Sequence, residues 1–159
     1  LGRILLSLPV TVVFASDGHC DRGYLLYKDY CYHFETEQVK NWHDAEAHCT
    51  KEQGHLVSFH NEEELSFLTA LIQQTPTGIS LWMGGHDSVT EGGWEWTDGS
   101  PFRYIRWNAG IYEGNPDDYL GEDCLTILIN NGYWNDDNCE SKRGYICKRR
   151  GEKLCLNCC

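Results

Sequence analysis

Nine cysteines in a chain of 159 residues constrain the fold more than any other feature. Such a density belongs to an oxidising compartment, where bridges brace a small domain. The count alone leaves the connectivity open. The N-terminus agrees with that compartment. Arg3 precedes an apolar run over 4–14, and Val13, Phe14 and Ala15 make a small-residue cleavage pattern. Residues 1–16 therefore read as the remainder of a secretory signal peptide, which makes the chain secreted or extracellular. The run is too short to span a bilayer. Pro9 in its middle argues against a buried first strand. No Asn-x-Ser/Thr sequon occurs, so no N-glycan is expected.

The length fits one domain with short appendages and can bury a core. With 41% hydrophobic and 23% charged residues, the chain is neither disordered nor a membrane bundle. The formal charge of −11 argues against nucleic acid or an anionic membrane as partner and favours cations, metal ions included.

Residues 20–148 read as one unit. Cys20 and Cys31 enclose a hairpin-like stretch with Tyr24, Tyr27, Tyr30 and, just beyond, Tyr32. Trp42, Ala45, Ala47 and Cys49 recur near helical spacing and predict a helix over about 41–53, with Gly54 as its stop. A second helix follows Asn61 as N-cap. Glu64 stands at the capping-box position, and Leu65, Leu68, Leu71 and Ile72 form one face. After Pro76 short apolar runs alternate with Gly, Asp and Asn. Residues 81–84, 94–96, 125–129 and 144–147 predict short strands. Between them lies an irregular stretch over about 98–122, and loops that long are usually functional. Residues 149–159 read as a Cys-rich tail or the start of another module.

Between Trp107 and Ser141 stand eight carboxylates and no Lys or Arg: Glu113, Asp117, Asp118, Glu122, Asp123, Asp136, Asp137 and Glu140. So many like charges repel if the region folds compactly without a counter-charge. A hard divalent cation supplies one, and Ca²⁺ prefers carboxylate and amide oxygens from loops. Asn115, Asn130, Asn131, Asn135 and Asn138 add amide oxygens nearby. The competing reading is a solvated acidic loop. Spacing favours the metal. Glu122 and Asp123 precede one strand, Asn135 and Asp136 follow Trp134, and a Cys124–Cys139 bridge would join the two acidic ends. Pro116, between Asn115 and Asp117, can fix a sharp turn through a cis bond.

At this point a family resemblance becomes visible. Trp42, Ala45, Glu46 and Cys49, then Leu81-Trp82-Met83-Gly84, then Trp94, Trp96, Asp98 and Gly99, then Trp107, then Trp134-Asn135-Asp136 between two cysteines resemble, in that order, the C-type lectin domain in its long form. Residues 115–147 are closest to the mannose-binding collectins. The resemblance covers about 20–148. It implies an α+β, disulfide-braced fold with two helices, short antiparallel strands and a long calcium-binding loop. It implies the bridges Cys20–Cys31, Cys49–Cys147 and Cys124–Cys139. It further implies a calcium ion held by Asn115, Asp117, Glu122, Asn135 and Asp136 that accepts two vicinal sugar hydroxyls, so that glycans or glycoproteins are the partners. A second, structural calcium would use Asp87 and Glu91, completed by Asp118, Glu122 and Asp123.

The chain departs from the family pattern inside the binding loop. Mannose-type members carry Glu-Pro-Asn and galactose-type members Gln-Pro-Asp, whereas this chain has Asn115-Pro116-Asp117. The amide-first order is the galactose one, on a side chain one methylene shorter. Residues 111–114 are inserted, and the spacer from Asp117 to Glu122 is one residue shorter than in collectins. Tyr119 and Tyr112 are the rings available to stack on a sugar, and both also fit as ordinary loop tyrosines. Trp82, Trp94 and Trp96 fit the core instead.

An enzyme is disfavoured. Among the seven His there is no His-Glu-x-x-His zinc motif. Ser and Cys lack a nucleophile-elbow context, and the paired carboxylates are better explained as metal ligands. The alternative within the family is a protein-binding domain that keeps the fold without sugar binding. Cys155, Cys158 and Cys159 suit interchain disulfides or a following module better than a zinc site.

Overall fold

The computed structural model describes residues 18–72, 80–109, 114–128 and 131–153. The segment read as a signal peptide, residues 111–113 of the expected insertion with Tyr112, and the three tail cysteines lie outside the described residues. Chain order is β1 (Gly18–His19), β2 (Leu25–Tyr27), β3 (Tyr30–Lys40), α1 (Trp42–Lys51), β4 (His55–Leu56), α2 (Glu62–Ile72), β5 (Ser80–His86), β6 (Glu95–Trp96), β7 (Cys124–Leu128), β8 (Trp134–Asp137), β9 (Arg143–Arg150) and β10 (Glu152–Lys153).

The main sheet runs β2-β3-β9-β5-β7-β8, with β4 added on β9 and β6 on β5. The strand pairings are antiparallel, as the resemblance implies, apart from one. β5 and β9 pair in parallel, Leu81 against Gly144 and Trp82 against Tyr145. β1 and β10 form a separate ribbon that brings the two ends of the described chain together. Three disulfides occur among the described residues, Cys20–Cys31, Cys49–Cys147 and Cys124–Cys139. They are the pairs the resemblance implies.

Each helix forms where its sequence starts it. Asn41 caps α1 by accepting the Asp44 N–H at 2.8 Å. Trp42, Ala45 and Cys49 are buried, while Ala47 faces out. Gly54 follows the helix for a reason other than backbone freedom. The left-handed residue is Gln53, at φ 64°. A Cβ on Gly54 would come within 2.4 Å of the Lys148 carbonyl, so glycine there permits β9 to pass. Asn61 caps α2 through the Glu64 N–H at 2.9 Å. The Glu64 side chain does not return to Asn61 as a capping box would. Its Oε2 accepts the His60 N–H, and its Oε1 accepts the Tyr32 hydroxyl at 2.6 Å and the Lys148 ammonium at 2.5 Å.

The core has two parts. One gathers Val57, Phe59, Leu65, Leu68, Leu81, Met83, Ile127 and Ile146 around Trp134. Trp134 meets the rings of Trp96, Phe102, Tyr104 and Trp107 edge-on. The other packs α1 against β9 through Trp42, Ala45, Leu56, Trp82 and Tyr145, around Cys49–Cys147. Trp82 and Trp96 are therefore core residues, as the sequence suggests.

Lys148 and Glu64 are both buried, with side-chain exposures of 6% and 8%. Removing one partner leaves a buried charge uncompensated. Glu64→Ala is expected to lower unfolding free energy by about 3–5 kcal/mol, measured by urea titration of the oxidised protein. Glu64→Leu combined with Lys148→Met should recover most of that loss, because no unpaired charge remains.

Candidate metal centre

The acidic segments converge because of one hairpin and one loop. β7 and β8 pair with Cys124 opposite Asp137, Leu125 opposite Asp136 and Thr126 opposite Asn135. The Cys124–Cys139 bridge closes that end. Glu122 and Asp123, entering β7, thus lie beside Asn135 and Asp136 on β8. Residues 114–121 fold over them. The Asn115–Pro116 peptide is cis. The Asn115 amide nitrogen donates to Asn135 Oδ1, and the Asp118 N–H donates to Asp136 Oδ2 at 2.7 Å.

In this arrangement one carboxylate oxygen each from Asp117, Glu122 and Asp136 lies within 4.8 Å of the others. Oxygens on opposite sides of a calcium ion, each about 2.4 Å from it, stand about that far apart. Asn115 and Asn135 bond one another through their side chains, and Asn135 adjoins Asp136 on β8. Of the five residues that the resemblance implies, Asp117, Glu122 and Asp136 converge in this way.

The electrostatics show what such a group lacks. Burial, and then the charges of Asp136, Asp137 and Asp117, push the Glu122 carboxyl up from 4.5 to about 7. Burial raises Asp136 as well, with Asp117 adding to it against backbone hydrogen bonds that lower it. Asp136 is fully buried, and its Oδ1 has no hydrogen-bond partner among the described residues. A buried anionic oxygen without a donor is costly, and a coordinated cation satisfies it. The donor set of carboxylates and amides suits a hard cation such as Ca²⁺.

A second group lies across β7. Oxygens of Asp87, Glu91 and Asp123 also fall within 4.8 Å of one another. Asp87, 3% exposed, accepts the Gly92 N–H at 2.9 Å through Oδ2, while its Oδ1 is buried without a partner among the described residues. Desolvation raises its carboxyl, and Asp123 and Asp118 add to the effect. Glu91 is raised by desolvation and by the charges of Asp87, Asp118 and Asp123. Asp118 acts on this group by its charge, but its Oδ1 accepts the Glu122 N–H at 3.1 Å. Glu122, implied for both groups, converges with Asp117 and Asp136.

One contact was hidden in the sequence. Asp137 pairs with Arg143, the second cation after the acidic run. Its charge is answered from β9, outside the stretch that lacks Lys and Arg. The loop tip presents Tyr119 and Leu120, 67% and 83% exposed, with Asp118, Leu120 and Gly121 all at positive φ.

The family profile of the lectin C-type domain matches residues 38–149. The galactose-specific lectin nattectin of Thalassophryne nattereri is 32% identical over 146 residues, which cover 91% of this chain and 89% of that protein. C-type lectin lectoxin-Lio1 of Erythrolamprus poecilogyrus is 37% identical over 150 residues, covering 91% and 87%. Among solved structures, the mouse scavenger receptor C-type lectin carbohydrate-recognition domain aligns with a TM-score of 0.74 at 32% identity, over 85% of this chain and 99% of that one. A calcium-independent type II antifreeze protein aligns with a TM-score of 0.72 at 28% identity, over 85% and 97%. With this sequence likeness, this fold and these bridges, the chain belongs to the C-type lectin domain family.

Proposed function

We propose that this chain is a secreted lectin domain, over about residues 20–148, that binds sugar through calcium. Relatives described as a galactose-specific lectin and as a carbohydrate-recognition domain support this reading. The observation that carries the reading is the meeting of Asp117, Glu122 and Asp136 around a buried, unpartnered Asp136 Oδ1. Asn115, Asp117, Glu122, Asn135 and Asp136 would hold the calcium that engages sugar hydroxyls. Asp87, Glu91, Asp123 and Asp118 would hold a second ion that orders the loop. Calcium supplies coordination for neutral hydroxyl oxygens that water otherwise fills. The side chains supply direction. The carboxylate of Asp117 only accepts hydrogen bonds, while the amide of Asn115 can also donate. Their order about Pro116 is the galactose order, and nattectin, described as galactose-specific, supports that choice.

A second reading has its own observation. The hydrogen bonds from Asn115 to Asn135 and from Asp118 to Asp136 already pin the loop to β8 without an ion. One structural relative is described as calcium-independent. In that reading the domain binds a protein or another ligand without metal.

Three measurements decide between them. First, limited proteolysis in calcium should spare residues 98–137, and cleavage there should appear when calcium is removed while α1 and α2 stay protected. Identical cleavage patterns in the two conditions favour the metal-free reading. Second, calcium affinity should depend on pH. With its carboxyl raised to about 7, Glu122 in the metal-free folded state holds a proton that the unfolded chain has lost between about pH 4.5 and 7. Metal-free stability therefore falls as pH rises through that window, and calcium affinity rises. Calorimetry should show affinity dropping by about tenfold per pH unit below 7 for one displaced proton. A flat profile contradicts the assignment of Glu122. Third, immobilised galactose or N-acetylgalactosamine should retain the protein over mannose, in calcium only. Asp136→Ala should abolish retention on either sugar, and Asn115→Glu with Asp117→Asn should move it toward mannose. A mannose preference in the unaltered chain refutes the donor–acceptor argument.

A further inference from the structure

The most exposed apolar side chains of this domain stand at the end that carries the acidic groups. Eight large hydrophobic residues are exposed among the described residues, led by Leu120 at 83%, Val89 at 74% and Tyr119 at 67%. Val89 lies midway between Asp87 and Glu91, and Tyr119 and Leu120 lie between Asp118 and Glu122. All three are therefore on the two loops that hold candidate calcium ligands. The next, Ile105 at 53%, lies outside both. The two loops are neighbours, since carboxylate oxygens of Asp87, Glu91 and Asp123 fall within 4.8 Å of one another. Single exposed apolar residues are ordinary on a protein surface and ask for no explanation. The gathering of the three most exposed ones on adjoining acidic loops does ask for one.

The fold does not call for these side chains. Residues 118–122 turn through other contacts. The Gly121 N–H donates to the Asp118 carbonyl at 3.3 Å, and the Glu122 N–H donates to Asp118 Oδ1 at 3.1 Å. In the other loop the Gly92 N–H donates to Asp87 Oδ2 at 2.9 Å, and the Gly93 N–H donates to the Thr90 carbonyl at 2.8 Å. Leu120 sits at φ 59°, a region that glycine and asparagine enter more readily than leucine. Neither burial nor backbone preference accounts for an apolar side chain there.

The flanking charges decide when these tips can leave water and what they can meet. Three carboxylates of each acidic group stand close to them. Carrying bare carboxylates toward an apolar medium is costly, so the tips stay in water until cations bind. Two divalent ions supply four positive charges against those six carboxylates. The loaded end therefore stays negative and is repelled by an anionic surface. A protein partner would need one close-packed apolar patch, whereas these tips are separate points on two loops with acids between them. The hydrophobic effect itself is non-directional. A fluid bilayer interface accepts separate apolar points without shape complementarity, and tyrosine suits its headgroup level.

We infer that the calcium-loaded end docks on the surface of a neutral, zwitterionic lipid bilayer, with Val89, Tyr119 and Leu120 entering its interface. The inference rests on the calcium reading above and adds a lipid surface to it as partner.

The test uses the full chain and vesicles of phosphatidylcholine alone, which present no sugar and no net charge. Vesicle binding is followed by flotation in calcium and after its removal, and calcium binding is measured by calorimetry on the same protein. The vesicles should carry the protein in calcium only. Val89→Ser combined with Leu120→Ser, exposed changes that spare every candidate ligand, should weaken vesicle binding by about tenfold or more and leave the calcium titration unchanged. Val39→Ser combined with Ile105→Ser, exposed apolar residues outside the two loops, should leave both unchanged. Vesicle binding without calcium, or equal loss in the two double variants, overturns the docking. Full inhibition by soluble phosphocholine overturns it too, by assigning the contact to the headgroup alone. Self-association in calcium without vesicles does the same, by assigning the tips to a second copy of the chain. Calcium binding without vesicle binding overturns the docking and leaves the calcium reading standing. Absence of calcium binding overturns both.

Discussion

The parallel contact between β5 and β9 is the joint on which the rest of the molecule depends. On one side β9 carries β3, β4 and, through Cys49–Cys147, helix α1. On the other side β5 carries β7 and, beyond it, β8. The joint is short, and it closes because Gly144 has no side chain. A Cβ there would come within 2.6 Å of the Glu35 carbonyl and 2.7 Å of Leu81. The β3 backbone on one side and the buried Leu81 side chain on the other leave glycine as the residue that fits. The Cys49–Cys147 bridge, spanning 98 residues, ties the same strand covalently to α1 and restricts the unfolded chain over most of its length.

From that joint the acidic groups acquire their positions. β5 ends at His86, so Asp87 and Glu91 leave the sheet beside the start of β7, and the Asp87 N–H bonds the Asp123 carbonyl at 3.2 Å. β8 sets Asp136 inward over Trp134, where the core shuts out water. The strand ends and their loops thus bring carboxylates close, and burial raises the proton affinity of Asp87, Glu122 and Asp136. β9 returns one cation, Arg143, and so neutralises Asp137 alone. Its remaining charge points away, along Lys148 to Arg150. The strand that joins the two halves also separates a negative end from a positive one.

Much of this was legible in the sequence, and particular residues show why the rest was not. The caps Asn41 and Asn61 announce their helices because a short polar side chain satisfies a free N–H locally. The acidic loop announced itself by eight carboxylates without a cation. What failed were inferences that needed the third dimension. The outer half of β3, Glu35 to Lys40, is too polar to read as a strand, and only the register with β9 makes it one. Glu64 looks like a capping-box residue, but a buried ammonium 84 positions away outbids a neighbouring N–H. Ala47 keeps helical spacing yet faces solvent. The division of the carboxylates into two groups depends on how residues 117–122 turn, with Asp118 and Leu120 at positive φ, and the family resemblance implied Glu122 for both.

The way the loop is held explains how one fold can serve with and without metal. Two contacts of the chain's own, Asn115 on Asn135 and the Asp118 N–H on Asp136, set the path of residues 114–121. They leave Asp136 Oδ1 and Asp87 Oδ1 unsatisfied. Path and charge balance are therefore separate problems with separate solutions. A relative could keep the path and lose the carboxylates, giving the same backbone with no need for an ion, and the likeness to a calcium-independent antifreeze protein is consistent with that. This chain keeps the carboxylates. Replacing a buried, repelling set by neutral residues of similar volume would stabilise the metal-free domain. Their presence thus costs the metal-free domain stability that folding alone does not require, and the cation of the proposed calcium reading would offset that cost.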